Sequence, residues 1–204
     1  MSVEVARQVF GENFKAISQY VDILTSRGID WGLIGPREVD RIWDRHILNS
    51  TAFAELIPEG ATVVDVGSGA GLPGIPLAVL RPDLKITLLE PLLRRCTFLS
   101  QAVDELGITS RVEVVRGRAE EHALTYDVVT ARAVAPLGRL LDWCAPLLGS
   151  GGVMLALKGK SAPGEVDAAE SSLRRRKLAA EIMTVRAHSG AEPTTVVRVA
   201  SEGR

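Results

Sequence analysis

The chain has 204 residues, 46% of them hydrophobic and 24% charged, with a formal net charge of −1. That balance excludes intrinsic disorder and a collagen-like fibre, and the length suits one compact domain. The near-zero charge excludes a uniformly basic nucleic-acid binder, so any RNA or DNA partner has to be met by a local patch.

The first residues, MSVEVARQVFGENF, carry an early acid and no apolar core, which is not the pattern of a secretory signal. From Val3 to Leu24 apolar residues recur at helical spacing (Val5, Val9, Ile17, Val21, Leu24). Gly28 is placed to end that helix through a left-handed cap. Pro36 suits the first turn of a second helix, with Val39, Ile42, Trp43 and Ile47 on its apolar side. It runs towards Leu56, and Pro58-Glu59-Gly60 breaks the chain. Residues 1–60 are therefore expected to form an N-terminal helical cap, and residues 61–204 a second unit.

After Gly60 the pattern alternates. Short β-branched runs at Thr62–Val66, Lys85–Leu89, Arg111–Val115, Tyr126–Ala131 and Val153–Leu157 are separated by helical stretches, clearest at Leu92–Leu106 and Pro136–Leu148. The alternation predicts an α/β fold, a mainly parallel sheet with helices on both faces. Ala179–Val185 and Thr194–Val199 follow as two strands with no helix between them, predicting a closing antiparallel hairpin that turns at His188–Pro193. No apolar run reaches the length of a bilayer span; the one ending at Leu80 is broken by Gly and Pro. Cys96 and Cys144 are too few for a disulfide framework or a four-ligand zinc site, so no metal is expected. Both fall in helical patterns and read as buried thiols of a reduced, cytoplasmic protein.

The informative segment is VVDVGSGAGLPGIPL, Val63–Leu77. A strand runs into Gly67, Ser68, Gly69, Gly71 and Gly74, and a helix opens at Pro73–Ile75. Glycines let the backbone turn sharply and approach a ligand, and a helix start offers unpaired N–H groups. Gly69-Ala70-Gly71-Leu72-Pro73-Gly74 satisfies the dinucleotide pattern G-x-G-x-x-G, a weak match by itself. Asp65, inside the preceding strand, favours S-adenosylmethionine: its carboxylate accepts loop N–H groups, or reaches a cofactor ammonium through water, but repels a pyrophosphate. Glu90, at the open end of the next strand with little to bury, can chelate ribose hydroxyls of either cofactor. A nicotinamide-dependent oxidoreductase is the alternative reading; Tyr126 lacks the Lys four residues on that such chemistry often pairs with it. A non-catalytic S-adenosylmethionine-binding regulator is the third.

DVGSGAGLPGIPL, together with WDRHILNS (Trp43–Ser50), RPDLKITLLEPLLRRCTFL (Arg81–Leu99), RGRAEE (Arg116–Glu121), ARAVAPL (Ala131–Leu137) and LALKG (Leu155–Gly159), resembles the small-subunit ribosomal RNA methyltransferase G family, also called glucose-inhibited division protein B. GLIGPRE before the WDRH segment resembles its actinobacterial members. The resemblance implies a class I methyltransferase fold of seven strands and transfer of a methyl group from S-adenosylmethionine to ring nitrogen 7 of one guanine in 16S ribosomal RNA. It implies cofactor contacts at Gly67, Leu72, Ala119, Glu120 and Arg132. The chain departs from the family at Gly32, often Asn elsewhere, and at Pro193, near an Arg elsewhere; both positions are implicated in RNA handling. Asn49 stands where Asp is usual.

Nitrogen 7 carries no proton, so its methylation needs no general base and no covalent nucleophile. Arg132 and Lys158, at the ends of the fourth and fifth strands, are read as positioning residues at the rim, for a cofactor carboxylate, a substrate phosphate or guanine oxygen 6. Arg118, beside the expected adenine, is either a stacking residue or solvated. Arg45 and His46 are neighbours on a helix, so both are not expected to face the site, and His46 is read as packing or RNA positioning. Arg174-Arg175-Arg176-Lys177, the densest basic run, is either a solvated face or a phosphate contact. A small ribosomal subunit or its RNA is the expected partner of a monomer.

Overall fold

The computed structural model describes residues 2–132 and 135–202, so Ala133 and Val134 of the Ala131–Leu137 stretch and both extreme ends of the expected units lie outside the described residues. Seven strands, β1 (Thr62–Val66), β2 (Lys85–Glu90), β3 (Val112–Arg116), β4 (Tyr126–Arg132), β5 (Leu148–Lys158), β6 (Leu178–Val185) and β7 (Thr194–Ser201), form one sheet in the order β3-β2-β1-β4-β5-β7-β6. The first five are parallel, and β7 enters antiparallel between β5 and β6. The order reverses between β1 and β4, which opens a crevice beyond their C-terminal ends.

β5 begins at Leu148, earlier than the apolar run at Val153 predicts. The extra residues are glycine-rich, which hides them from a reading based on β-branched side chains. Their lack of side chains is the point of contact: a Cβ on Gly152 would lie 2.8 Å from the Tyr126 carbonyl oxygen, where the β4–β5 register shifts.

Alternation along the strands divides the interior into two cores. Val63, Ile86, Leu88 and Val128 face α1 (Ser2–Phe10), α2 (Phe14–Ile23), α3 (Asn49–Thr51), α4 (Gly74–Leu80) and α5 (Leu93–Glu105). Val64, Val129, Met154 and Val197 face α6 (Leu137–Cys144) and α7 (Ala162–Arg176). Cys96 in α5 and Cys144 in α6 are buried free thiols. The β3–β4 connection carries only a 3-10 turn, Ala119–Glu121. Among the described residues, no helix is long and apolar enough to cross a membrane.

The N-terminal segment departs from the expectation in detail. Gly11, at φ +51°, interrupts the predicted first helix. Gly28 does not cap it: α2 continues through a π-helical turn, Leu24–Gly28, and the left-handed residue is Gly32 at φ +67°. Leu33 N–H donates to the Gly28 carbonyl and Gly32 N–H to that of Ile29, both at 2.8 Å, which together form a Schellman motif. Asn is the other residue that tolerates a left-handed cap. Val39 is exposed rather than packed, because a 3-10 turn, Pro36–Arg41, winds more tightly than an α-helix and changes the phase of the apolar face. Ile42 and Ile47 are buried, and Trp43 stacks on Phe14 at 5.7 Å.

α7 runs back from the crevice edge of the sheet, so Arg174–Lys177 lie at the opposite edge. Arg174 pairs with Glu170 and Arg176 with Asp142, and all four basic residues complement the C-terminal end of the helix dipole. Two of the four are paired, and the run lies remote from the crevice.

Gly32→Val is expected to lower stability by about 1–2 kcal/mol through left-handed strain, because nothing lies within 4 Å of the added Cβ, whereas Gly32→Asn stays close to the parent in thermal denaturation.

Candidate active site

The loop between β1 and α4 turns through three left-handed glycines, Gly67 (φ +72°), Gly69 (φ +58°) and Gly71 (φ +97°). They do different work. A Cβ on Gly71 would meet the Tyr20 hydroxyl at 2.9 Å, and one on Gly74 would meet Leu88 Cδ2 at 2.3 Å and Asp65 Oδ2 at 2.9 Å. Those two glycines permit close packing behind the loop. Gly69 has open space beyond its backbone, with only the Gly67 carbonyl at 3.8 Å, and it faces a cavity. The Tyr20 hydroxyl donates to the Ala70 carbonyl at 2.7 Å, which pins the loop to α2.

Two cavities of about 540 Å³ each adjoin at the C-terminal ends of the strands. The first is bounded by Gly67–Ala70, Leu72, Glu90, His46 and Arg132, with Leu33 and Ile34 closing one side. The second is bounded by Arg45, Asn49, Arg132, Lys158 and Glu165. Arg132 belongs to both. A slot of about 110 Å³ opens beside Gly67, between Leu89, Arg118, Ala119, Glu120 and Trp143.

Most of the residues singled out in the sequence therefore converge. Gly67, Ser68, Gly69, Leu72, Glu90 and Arg132 meet at the first cavity, Arg118, Ala119 and Glu120 at the slot, and Lys158 at the second cavity. Asp65 and Gly71 border none of these spaces; they lie behind the loop.

Asp65 is fully buried. Its Oδ2 accepts the Gly74 N–H at 3.0 Å, while Oδ1 has no partner. Burial pushes its pKa up to about 7, against the pull of the Gly74 hydrogen bond and Arg132. The Gly74 N–H, expected to be free for a ligand, is thus spent on the protein's own carboxyl group. Ile75 N–H is likewise bonded to the Gly71 carbonyl at 2.8 Å.

Glu90 departs from the expectation of an open strand end. It is 1% exposed, with Oε2 accepting Gly69 N–H at 3.0 Å and Oε1 accepting Leu92 N–H at 3.1 Å. Arg95 stands 3.7 Å from Oε2. Glu90 both fastens the glycine loop and walls the cavity.

Arg132 reaches the crevice, but its fork is closed. Nη1 donates to Ser50 Oγ at 3.1 Å and the His46 carbonyl at 3.4 Å, and Nη2 to the Arg45 carbonyl at 3.2 Å and His46 Nδ1 at 2.7 Å. It presents fixed positive charge to both cavities instead of a free bidentate fork. Lys158 is similarly committed: its ammonium lies 2.7 Å from Glu165 Oε2 and donates to the Ala135 carbonyl at 2.6 Å. Glu165 also accepts Leu137 N–H at 2.9 Å and Ser161 Oγ–H at 2.8 Å, joining the starts of α6 and α7 to the end of β5. Arg45 and His46 both face the crevice, contrary to the expectation for adjacent residues: a π-helical turn, Ile42–Leu48, sets them on different cavities.

Glu38, Ser50, Trp143 and Glu165 escaped the sequence reading. Glu38 lies eight residues before His46, a spacing that marks one helical face but that charged residues often show on any solvated helix. Trp143 falls in a long helical pattern with no cue that its ring borders a slot.

This strand order, with a glycine loop after β1 and a carboxylate closing β2, defines a class I S-adenosylmethionine-dependent methyltransferase fold. A precorrin-6y C5,15-methyltransferase from Geobacter metallireducens shares it, with a TM-score of 0.56 at 17% identity over 83% of this chain and 90% of that one. Ribosomal RNA small subunit methyltransferase G of Thermobifida fusca is 52% identical over 96% of this chain and 84% of its own length. The protein of the same name from Streptomyces coelicolor is 54% identical over 96% and 83%. Residues 13–192 match the rRNA small subunit methyltransferase G family as a whole, and the chain belongs to that family.

The raised Asp65 pKa has a sign. Between pH 3.8, the ordinary value, and about 7, the folded protein holds a proton that the unfolded chain has released, so stability falls as pH rises through that window and levels off above it. Asp65→Asn keeps an oxygen for Gly74 N–H and carries no charge. Its melting temperature, compared with the parent's from pH 4 to pH 8, is expected to lose that decline.

Proposed function

We propose that the protein is a cytoplasmic, monomeric enzyme that transfers a methyl group from S-adenosylmethionine to ring nitrogen 7 of a guanine in 16S ribosomal RNA. The observation that carries this reading is the pair of adjoining cavities divided by one side chain, Arg132. One suits a cofactor and the other an acceptor base.

The residues present fit S-adenosylmethionine. Glu90 has two of its roughly four acceptor positions left after holding Gly69 and Leu92, which suits a ribose diol. The slot between Leu89, Ala119 and Trp143 is mostly apolar, which suits adenine. The charge of Arg132 favours the amino-acid carboxylate. A dinucleotide fits worse: Asp65 takes the first helical N–H of α4, and the buried carboxylate of Glu90 walls the cavity where a pyrophosphate would approach.

When bound, S-adenosylmethionine supplies an electrophilic methyl group on a sulfonium. The acceptor nitrogen brings its own lone pair and loses no proton, so the protein's work is alignment, which is worth on the order of 7–11 kcal/mol when reacting atoms are held in line. The side chains around the two cavities agree with that. Glu165 is held by Lys158, Ser161 and Leu137 N–H. Both nitrogens of His46 are engaged, by Arg132 and Glu38. Arg45, half-exposed at the rim, and exposed Lys160 next to Gly159 supply the local basic patch that RNA phosphates need.

Incubated with labelled S-adenosylmethionine and small ribosomal subunits, the protein is expected to label 16S RNA and yield 7-methylguanosine on nucleoside analysis. Label on another atom would overturn the acceptor assignment. S-adenosylhomocysteine at a hundredfold its dissociation constant is expected to stabilise the fold by about 2.7 kcal/mol, and NAD to leave it unchanged.

A further inference from the structure

We infer that His46 is a positioning residue for Arg132, acting as the neutral Nε2–H tautomer that Glu38 selects. The inference rests on the proposed reading of the two cavities and names the groups that hold their common wall.

A guanidinium has only donors. His46 Nδ1 lies 2.7 Å from Arg132 Nη2, so Nδ1 carries a lone pair and accepts. The proton is therefore on Nε2, which lies 2.8 Å from Glu38 Oε2 and donates to it. The ring is buried between these partners. Of the four acceptors on Arg132, Nδ1 is the nearest, and it is aimed at Nη2, whose other partner is the more distant Arg45 carbonyl. Chain entry from Pro36 through a 3-10 turn and then a π-helical turn brings Glu38, Arg45 and His46 together over the end of β4.

The charged groups around the ring define its state. Glu38 and Arg45 face it from its own segment, and Arg132 from β4; Asp65 on β1 and Tyr20 on α2 act on Arg132 from behind. Burial and the cation of Arg132 push the His46 pKa below its ordinary value, against the pull of Glu38. A second proton, on Nδ1, would set two donors against each other at 2.7 Å and leave Arg132 Nη2 with the Arg45 carbonyl alone. The same geometry removes His46 from proton transfer, since its only lone pair is held by Arg132.

Two measurements test this. In the first, ¹⁵N NMR of the imidazole at pH 7 in the ligand-free protein reads the tautomer directly. A pyridine-type Nδ1 and a pyrrole-type Nε2 are expected; the reverse tautomer, or a doubly protonated ring, would overturn the inference whatever the enzyme's activity. In the second, His46→Gln, which keeps one acceptor and one donor, and His46→Leu, which keeps bulk alone, are compared in single-turnover methyl transfer to small subunits. His46→Gln is expected within about tenfold of the parent, and His46→Leu to lose about a hundredfold in rate, the scale of an ångström's misplacement. Parent-like activity in both variants would reduce His46 to packing, and a similar large loss in both would make the imidazole itself necessary; either result contradicts the inference. A parent inactive on RNA but showing the stated tautomer would instead count against the proposed function alone.

Discussion

Four hydrogen bonds from one guanidinium join the N-terminal segment to the end of β4, and the crevice takes its form from that joint. Arg132 leaves the sheet where the strand order reverses, the place where an open parallel sheet has a gap to offer a ligand. By closing on Ser50, His46 and Arg45, it turns one long gap into two cavities of equal size. Because its desolvated charge is compensated by backbone carbonyls, a hydroxyl and a neutral imidazole, it stays cationic without pairing to a carboxylate. The positive charge is therefore still available to whatever occupies either side.

The glycine loop is held from two directions by carboxyl groups. Asp65 supports it from within the sheet through Gly74, and Glu90 from the side through Gly69. This arrangement explains why glycines that look equivalent in a motif differ in the fold: Gly71 and Gly74 are demanded by neighbours behind the loop, Gly69 by its backbone conformation beside the cavity. It also separates the site from a pyrophosphate-binding loop with the same spacing of glycines, in which the helix start is left for the ligand. The uncompensated Asp65 Oδ1 is the cost of placing a carboxyl group there.

Much of this was legible in the residues. The strand runs at Thr62, Lys85, Arg111 and Tyr126 are β-branched and short, and their ends fall within a residue of the observed strands. The start of β5 was not legible, since its glycines are chosen for contact with Tyr126 and carry no propensity for a strand. An apolar period of 3.6 predicts two ordinary helices for the N-terminal segment and carries no signature of its 3-10 and π-helical turns. Those irregular turns are what bring Arg45 and His46 onto adjacent cavities, so the missing part of the site follows from the missing part of the fold. Glu90 and Lys158 were found by position at strand ends, whereas their partners, Gly69 and Glu165, depend on tertiary placement that a linear pattern does not carry. The family resemblance implies cofactor contacts, Arg132 among them, but says nothing of the Glu38–His46–Arg132 chain.

In the proposed function, the space on the glycine-loop side of Arg132 belongs to the cofactor and the space on the Lys158 side to the acceptor. A crystal structure with S-adenosylhomocysteine tests it most directly. Ribose density is expected at Glu90 and adenine in the slot beside Ala119 and Trp143, with the Arg45–Lys158 cavity left clear. Ligand density between Arg45 and Lys158, with the glycine loop untouched, would contradict it.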